Sequence, residues 1–414
     1  MSITFTMKHS FPKEKIKVVL FEAIHPNAVK VFKKRGYTNV ELLDRAYSED
    51  ELIEKLQDVR IIGIRSKTQI TKRVLDNAPK LQAIACFCIG TNQVDLVAAA
   101  EKGIAVFNSP YSNTRSVAEL VVANVVFLMR GIQEKSLGAH RGDWFKVAKN
   151  SFEVRGKKLG IVGYGHIGSQ VSVLAEAMGM QVLYYDVVPK LPMGNAQAMD
   201  TLEELLAQSD VVTLHVPGTP QTKNMITATE FSQMKKGAAF INLSRGNVVV
   251  IDDLKAALES KHIRGASLDV FPSEPKSKND RFESALQGLD NVILTPHIGG
   301  STEEAQENIG IDAAQKLANY MDTGSTTGCH SIPEVQLPIQ NGAHRILHIH
   351  KNVPGVLNMI NTTIFNLNLN ISRQYLSTNE QIGYAVIDVK QDFSEQLLQV
   401  LRDIDHTVRA RVLY

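Results

Sequence analysis

Three short segments, each directly after an apolar run of strand character, carry side chains that could hold an acid and move a proton. Arg245 sits in Ser244-Arg245-Gly246 after the run 238–242, and Glu274 sits between Pro272 and Pro275 after the run 265–269. His297 follows Pro296 on a turn after the run 291–294. In open parallel sheets ligands collect at the carboxyl ends of the strands, so residues placed there on successive strands converge. A planar guanidinium in that position suits a carboxylate. A glutamate hydrogen-bonded to one imidazole nitrogen would orient the ring and raise its pKa. The expected division of labour is His297 as general acid/base and Arg245 as the group that holds and polarises a 2-hydroxy or 2-keto acid. A single glutamate after a strand is ordinarily a solvated surface group. The grouping of three beside a cofactor site is what carries the chemistry.

That cofactor site is read from residues 157–186. An apolar run, 159–162, leads into Gly163, Gly165 and Gly168 at G-x-G-x-x-G spacing, and a helical stripe of Ile167, Val171, Leu174, Ala175 and Met178 follows. The first glycine permits the tight turn, the second admits a pyrophosphate to the backbone, and the third lets helix and strand pack closely. The helix start offers free N–H groups and the positive end of its dipole. A second run, 182–185, ends on Asp186, 18 residues past Gly168. An acid there accepts ribose hydroxyls and repels the extra phosphate of NADP, so NAD is the expected cofactor.

The elements that position these groups alternate. Runs 16–21, 40–43, 59–64, 81–86 and 104–107 read as strands, and 25–35, 49–57 and 95–102 as helices, which argues for a parallel sheet covered on both faces. A long helical stripe, 113–130, leads into the dinucleotide unit, where 210–214, 238–242, 265–269 and 291–294 are strands and 202–208 and 251–259 helices. Residues 324–342, with Gly, Ser, Thr and two prolines, read as a linker. Beyond it the order is strand 345–350, helix 354–367, strands 371–376 and 384–389, helix 395–404 and strand 408–414, the ferredoxin-like βαββαβ arrangement of a separate small domain. With 414 residues, 44% hydrophobic and 21% charged, the chain is expected to be a globular protein of two or three domains. A net charge of +2 argues against nucleic-acid or membrane surfaces, and no apolar run reaches membrane-spanning length. The polar start lacks a signal-peptide core, and the three cysteines lack disulfide or zinc spacing, which points to the cytoplasm and to no metal site.

The glycine motif, Asp186, Ser244-Arg245-Gly246, Asp269 with Glu274-Pro275, and Pro296-His297 together resemble the D-isomer-specific 2-hydroxyacid dehydrogenases. The segments CFCIGTNQVD (86–95) and SNTRSVAE (112–119), with the C-terminal domain, resemble the branch of that family that acts on phosphoglycerate. The resemblance covers nearly the whole chain. It implies an α/β protein with two doubly wound parallel-sheet domains, a flavodoxin-like substrate domain (1–111 and 302–340) and a Rossmann NAD domain (112–301), followed by a ferredoxin-like ACT domain (343–414). It further implies a catalytic set of Arg245, Glu274 and His297. NAD contacts are implied at His166, Ile167, Asp186, Leu243, Ser244, Arg245, Asp269, His297, Ile298, Gly299 and Gly300. The implied reaction is NAD-dependent oxidation of 3-phospho-D-glycerate to 3-phosphohydroxypyruvate, the first step of L-serine synthesis, with reduction of 2-oxoglutarate to 2-hydroxyglutarate as a second activity. Arg65 and Lys67, after the run 59–64, are the cations expected to take the phosphate, with Asn113 as a further substrate contact. In the ACT domain His350, Asn352 and Asn370 match the effector motif for L-serine, and Asn352 opens the turn into a helix, where N–H groups suit a carboxylate. Paired nucleotide domains and paired effector domains suggest a homotetramer. Alternatives are a glyoxylate or hydroxypyruvate reductase, disfavoured by Arg65, Lys67 and the last domain, and a non-catalytic NADH-sensing regulator, disfavoured by the intact Arg245, Glu274 and His297.

Overall fold

The computed structural model of the chain describes residues 11–275, 280–338, 344–389 and 395–413. It divides into two compact units, Met1–Ser112 with Gln306–Tyr414, and Asn113–Ala305. In the first, β1 (Val18–Leu20), β2 (Val40–Leu42), β3 (Ile61–Ile64), β4 (Ala83–Cys86) and β5 (Ala105–Asn108) form a parallel sheet in the order β2-β1-β3-β4-β5. That is the flavodoxin-like doubly wound order. Every residue of β1, β3, β4 and β5 is buried, as a sheet covered on both faces requires. Helices Glu49–Lys55, Lys72–Asp76 and Leu96–Glu101 cover one face through Leu52, Val74, Leu75, Ala98 and Ala99.

The other face is covered by Asn27–Lys34 and by Glu303–Thr323, a 21-residue helix that the sequence reading leaves unassigned. Its buried stripe is Ile309, Ala313, Ala314, Leu317 and Ala318. So many alanines give a faint hydrophobic signal although they allow close packing. Part of the stretch read as linker is also built structure: Cys329 bridges Phe107 antiparallel, and His330 N donates to Val106 O at 2.8 Å. Ser331 donates to Ile104 O and accepts from Val106 N. These polar residues satisfy the open edge of β5, a role their composition conceals. Residues 339–342 of that stretch lie outside the described residues.

β13 (His344–Lys351), β14 (Ile371–Thr378), β15 (Ile382–Val389) and β16 (Thr407–Leu413) form an antiparallel sheet in the order β14-β15-β13-β16, the ferredoxin-like topology. Alternate residues feed two cores. Ile346, Ala385 and Ile387 pack under helices Val356–Asn366 and Glu395–Arg402, whereas Leu347, Ile349, Tyr384 and Val386 join the core of the first sheet. One face of this sheet thus shares a core with the first sheet. Its side chains also cap the carboxyl end of the long helix: Arg345 donates to Thr323 O at 2.9 Å and Tyr384 Oη to Gly324 O at 2.6 Å. Arg345 is held in turn by a buried, two-pronged pair with Asp388, at 2.8 and 3.0 Å.

In the second unit β6 (Lys158–Val162), β7 (Gln181–Tyr185), β8 (Gln197–Ala198), β9 (Val211–Leu214), β10 (Ala238–Asn242), β11 (Ile263–Leu268) and β12 (Val292–Leu294) form a parallel sheet. The order β12-β11-β10-β9-β6-β7-β8 reverses direction between β6 and β9, the Rossmann switch point where dinucleotides bind. Helix Thr114–Arg130 packs Val117, Val121, Val125 and Leu128 against this sheet. Helices Ile132–His140 and Ala228–Gln233 are additions to the sequence reading. Among the described residues no single helix is long and apolar enough to cross a membrane.

Removing one partner of a buried ion pair leaves the other charge unsolvated. Asp388→Ala is expected to cost about 3–5 kcal/mol, read as a lower urea midpoint; an unchanged midpoint would show that the pair contributes nothing net.

Candidate active site

At the end of β6 the chain turns through Gly163, whose φ of +92° few side chains tolerate. A Cβ there would also lie 2.6 Å from His215 O. Helix His166–Ala177 begins just beyond, and a Cβ on Gly168 would collide with the carbonyl of Gly163, so strand and helix meet only because that position is bare. A Cβ on Gly165 would meet nothing within 4 Å, which leaves open space beside the helix start for a pyrophosphate. Asp186, after β7, accepts from Tyr164 N at 2.8 Å and from Val188 N at 2.9 Å. Each carboxylate oxygen keeps a lone pair for a ribose hydroxyl. His166 and Ile167 form the first turn of the helix. These residues fit NAD.

The β10 end is organised by buried Asn242, which sequence reasoning passes over as part of the strand. Its Oδ1 accepts from Ser244 N and Ser244 Oγ at 3.0 and 2.9 Å, and its amide donates to Arg245 O at 3.0 Å. This fixes Leu243, Ser244 and Arg245 in one loop. The Arg245 guanidinium donates to Ser244 O at 2.6 Å, and its positive charge is felt by both Glu274 and His297.

Asp269, after β11, is 1% exposed and holds the turn after β12. Oδ1 accepts from Thr295 Oγ1 at 2.6 Å and from Ile298 N at 2.8 Å, while Oδ2 accepts from Gly299 N at 2.7 Å. Both oxygens are thus engaged from beneath. Thr295, which no motif singles out, is part of this support. The turn places His297 at φ +55°, a conformation non-glycine residues keep only when their surroundings dictate it. His297 Nδ1 lies 2.8 Å from Glu274 Oε2, and Glu274 Oε1 accepts from Phe271 N at 3.1 Å. Because an ionised carboxylate only accepts, Nδ1 carries the proton and Nε2 is left for a substrate. The hydrogen bond to Glu274 raises the histidine pKa, against the lowering effect of partial burial. Burial pushes Glu274 upward, but the bonds from His297 and Phe271 N–H outweigh it and leave the carboxyl below its usual range. Asn113, at the start of helix Thr114–Arg130, lies directly against Gly300 at the end of the same turn.

The remaining candidates belong to the other unit. Arg65 and Lys67 lie just past β3, and among the described residues neither side chain has an ion-pair partner. In the ACT domain His350 is 4% exposed on β13, its ring against Gly383 of β15. Asn352 donates to Asn379 O at 2.7 Å, and helix Val356–Asn366 is capped by Gly355 rather than by Asn352. Asn370 directly precedes β14, whose first residue Ile371 pairs with Val389, whereas His350 pairs with Gly383. Six residues of strand separate those two positions, about 20 Å. One chain does not bring His350 and Asn370 together.

Residues 122–299 match the D-isomer specific 2-hydroxyacid dehydrogenase NAD binding domain, and residues 346–409 match the AHAS small subunit-like ACT domain. The chain is 54% identical to the D-3-phosphoglycerate dehydrogenase of Haemophilus influenzae over 99% of its own length and all of that protein. It is 53% identical to that of Escherichia coli K12 over 98% of its own length and all of the relative. The chain belongs to the D-isomer-specific 2-hydroxyacid dehydrogenases. Among solved structures, D-lactate dehydrogenase from Aquifex aeolicus complexed with NAD and lactic acid superposes with a TM-score of 0.64 at 27% identity, covering 76% of this chain and all of that one. D-2-hydroxyisocaproate dehydrogenase gives 0.70 at 25%, again over 76% of this chain and all of that one. This member of the family is NAD-dependent and carries an ACT domain at its carboxyl end.

Two outcomes are expected. By NMR titration the His297 ring has a pKa above the ordinary value of about 6.5, and Glu274→Gln moves it downward; an unmoved value would mean that Glu274 does not set it. Gly168→Ala weakens NAD binding by at least about tenfold in fluorescence titration, because the helix start must shift away from the phosphates; wild-type affinity would remove the packing argument.

Proposed function

We propose that the chain oxidises 3-phospho-D-glycerate to 3-phosphohydroxypyruvate with NAD, the entry step to L-serine. The observation that carries this reading is the His297–Glu274 pair at 2.8 Å, held on the turn beside a built NAD site. The full-length similarity to D-3-phosphoglycerate dehydrogenases supports the choice of substrate. When bound, NAD supplies the nicotinamide carbon that accepts the substrate's C2 hydride. His297 Nε2 takes the C2 hydroxyl proton as the carbonyl forms, and Glu274 stabilises the resulting imidazolium. Arg245 holds the C1 carboxylate and polarises the C2 oxygen. In the reducing direction the same proton returns from His297. Arg65 and Lys67 take the phosphate, and Asn113 contributes a substrate contact beside Gly300. The same two cations would receive the distal carboxylate of 2-oxoglutarate, whose reduction to 2-hydroxyglutarate we propose as a second activity.

The ACT domain takes an amino-acid effector, which we propose is L-serine held by His350, Asn352 and Asn370. β14 is an exposed edge strand, and we propose that two copies pair along it, which would let Asn370 of one chain complete a site with His350 and Asn352 of the other. Trp144, 84% exposed, and the exposed Phe145 and Val147 supply a second apolar patch for association, consistent with a dimer of dimers. We keep the division into substrate, NAD and ACT domains. We place the protein in the cytoplasm, where Cys86, Cys88 and Cys329 stay free thiols.

NADH formation from 3-phosphoglycerate, suppressed by serine and reduced about 10²–10⁴-fold in His297→Ala, is the expected result. Turnover of hydroxypyruvate or glyoxylate in place of the phosphorylated pair would overturn the substrate assignment. Serine inhibition that survives His350→Ala with Asn370→Ala would overturn the effector site.

A further inference from the structure

Glu22 follows β1 and is 8% exposed, and among the described residues no cation is bonded to it, an unusual situation for a carboxylate. Its backbone has a φ of +62° and that of Ala23 +50°, two consecutive left-handed residues, neither a glycine. The chain there is pinned by Glu22 N donating to Arg45 O and Ala23 N to Leu43 O. Among the described residues the carboxylate's hydrogen-bond donors are all backbone N–H groups. Oε1 accepts from Arg65 N at 3.0 Å and Thr68 N at 2.9 Å, and Oε2 accepts from Lys67 N at 3.1 Å. Three N–H groups of one short loop thus converge on a single buried anion. From the other side Gln93 Nε2 donates to Arg65 O at 2.9 Å. The loop after β3 is therefore fixed from within, with its N–H groups turned inward, Thr68 fully buried and the Lys67 side chain exposed to solvent.

We propose that Glu22 is a positioning residue for phosphate recognition: it holds the 65–68 loop so that Arg65 and Lys67 present their charges in one fixed arrangement. This rests on the reading that those two cations take the substrate phosphate. The occupied loop also sets the mode of recognition. Three of its four N–H groups, those of Arg65, Lys67 and Thr68, are spent on Glu22, so the phosphate is met by side-chain cations and not by a nest of successive backbone N–H groups. The sign of the effect separates this role from simple electrostatics. Glu22→Gln removes a negative charge, which by itself would favour an anionic ligand. The amide also turns an N–H donor toward one of the loop's own N–H donors, which displaces the loop. Positioning therefore predicts weaker phosphate binding where charge alone predicts stronger.

The test compares reduction of 3-phosphohydroxypyruvate with that of hydroxypyruvate in the full chain, for wild type, Glu22→Gln, Glu22→Asp, Arg65→Ala, Lys67→Ala and Glu22→Gln combined with Lys67→Ala. The expected result for Glu22→Gln is a KM for the phosphorylated ketone raised about ten- to hundredfold with kcat largely kept, and a similar fall in the preference for it over hydroxypyruvate. Glu22→Asp, one methylene short but still charged, gives a smaller shift in the same direction and serves if the glutamine variant does not fold. The combined variant loses less than the sum of the two single changes, because part of what Glu22 does is to place Lys67, while the remaining loss comes through Arg65. An unchanged or lowered KM for the phosphorylated ketone in both Glu22 variants, or equal losses on both ketones, overturns the role of Glu22 while Arg65→Ala and Lys67→Ala still abolish the preference. If those two alanine variants keep the preference, the phosphate assignment itself fails, and this inference with it.

Discussion

A buried carboxylate just past β11 decides where His297, the proposed acid/base residue, stands. Asp269 gathers the hydroxyl of Thr295 and the N–H groups of Ile298 and Gly299, so the turn after β12 has one shape and His297 one place. An unpaired carboxylate at 1% exposure would be expensive; three donors make it tolerable, and their geometry is what the site gains. The left-handed φ of His297 persists because this net over-determines it. With the ring so placed, Glu274 can reach Nδ1 and set both the tautomer and the raised pKa.

The same device recurs wherever the chain needs a fixed loop at a strand end. Asp186 after β7 takes Tyr164 N from the turn after neighbouring β6, and Glu22 after β1 takes three N–H groups from the loop after neighbouring β3. In each case an acid on one strand end ties down the loop of the strand beside it. Parallel sheets leave all their ligand-facing loops on one edge, with no ladder to order them. Carboxylates at the strand ends supply that order, and the candidate ligand-binding residues are carried on the loops they hold.

Much of this was legible in the sequence because the chemistry needs residue types that stand out. Glycines at fixed spacing, an acid at a strand end, and an arginine, glutamate and histidine after three successive strands leave few other readings. What stayed hidden has physical reasons. Helix Glu303–Thr323 packs through alanines, so its periodicity is weak although its burial is complete along the stripe. Residues 329–331 look like linker because serine and histidine serve a strand edge through hydrogen bonds rather than through apolar surface. Glu22 and Thr295 belong to no motif, since a residue that acts by accepting or donating a few backbone and hydroxyl bonds has no spacing signature. His350 and Asn370 were legible as effector candidates one by one, but their separation by about 20 Å of strand emerges only from the register of β13, β14 and β15.

The central claim is that one histidine, tuned by Glu274, carries the proton in both directions. The pH dependence of kcat/KM, measured for 3-phosphoglycerate oxidation and for 3-phosphohydroxypyruvate reduction with wild type and Glu274→Gln, tests it most directly. Oxidation needs neutral His297 and should fall as pH drops through its pKa; reduction needs the protonated ring and should fall as pH rises through the same pKa. Loss of the carboxylate should move both limbs together to lower pH. Limbs that sit at unrelated pKa values, or that stay in place in Glu274→Gln, would contradict the account.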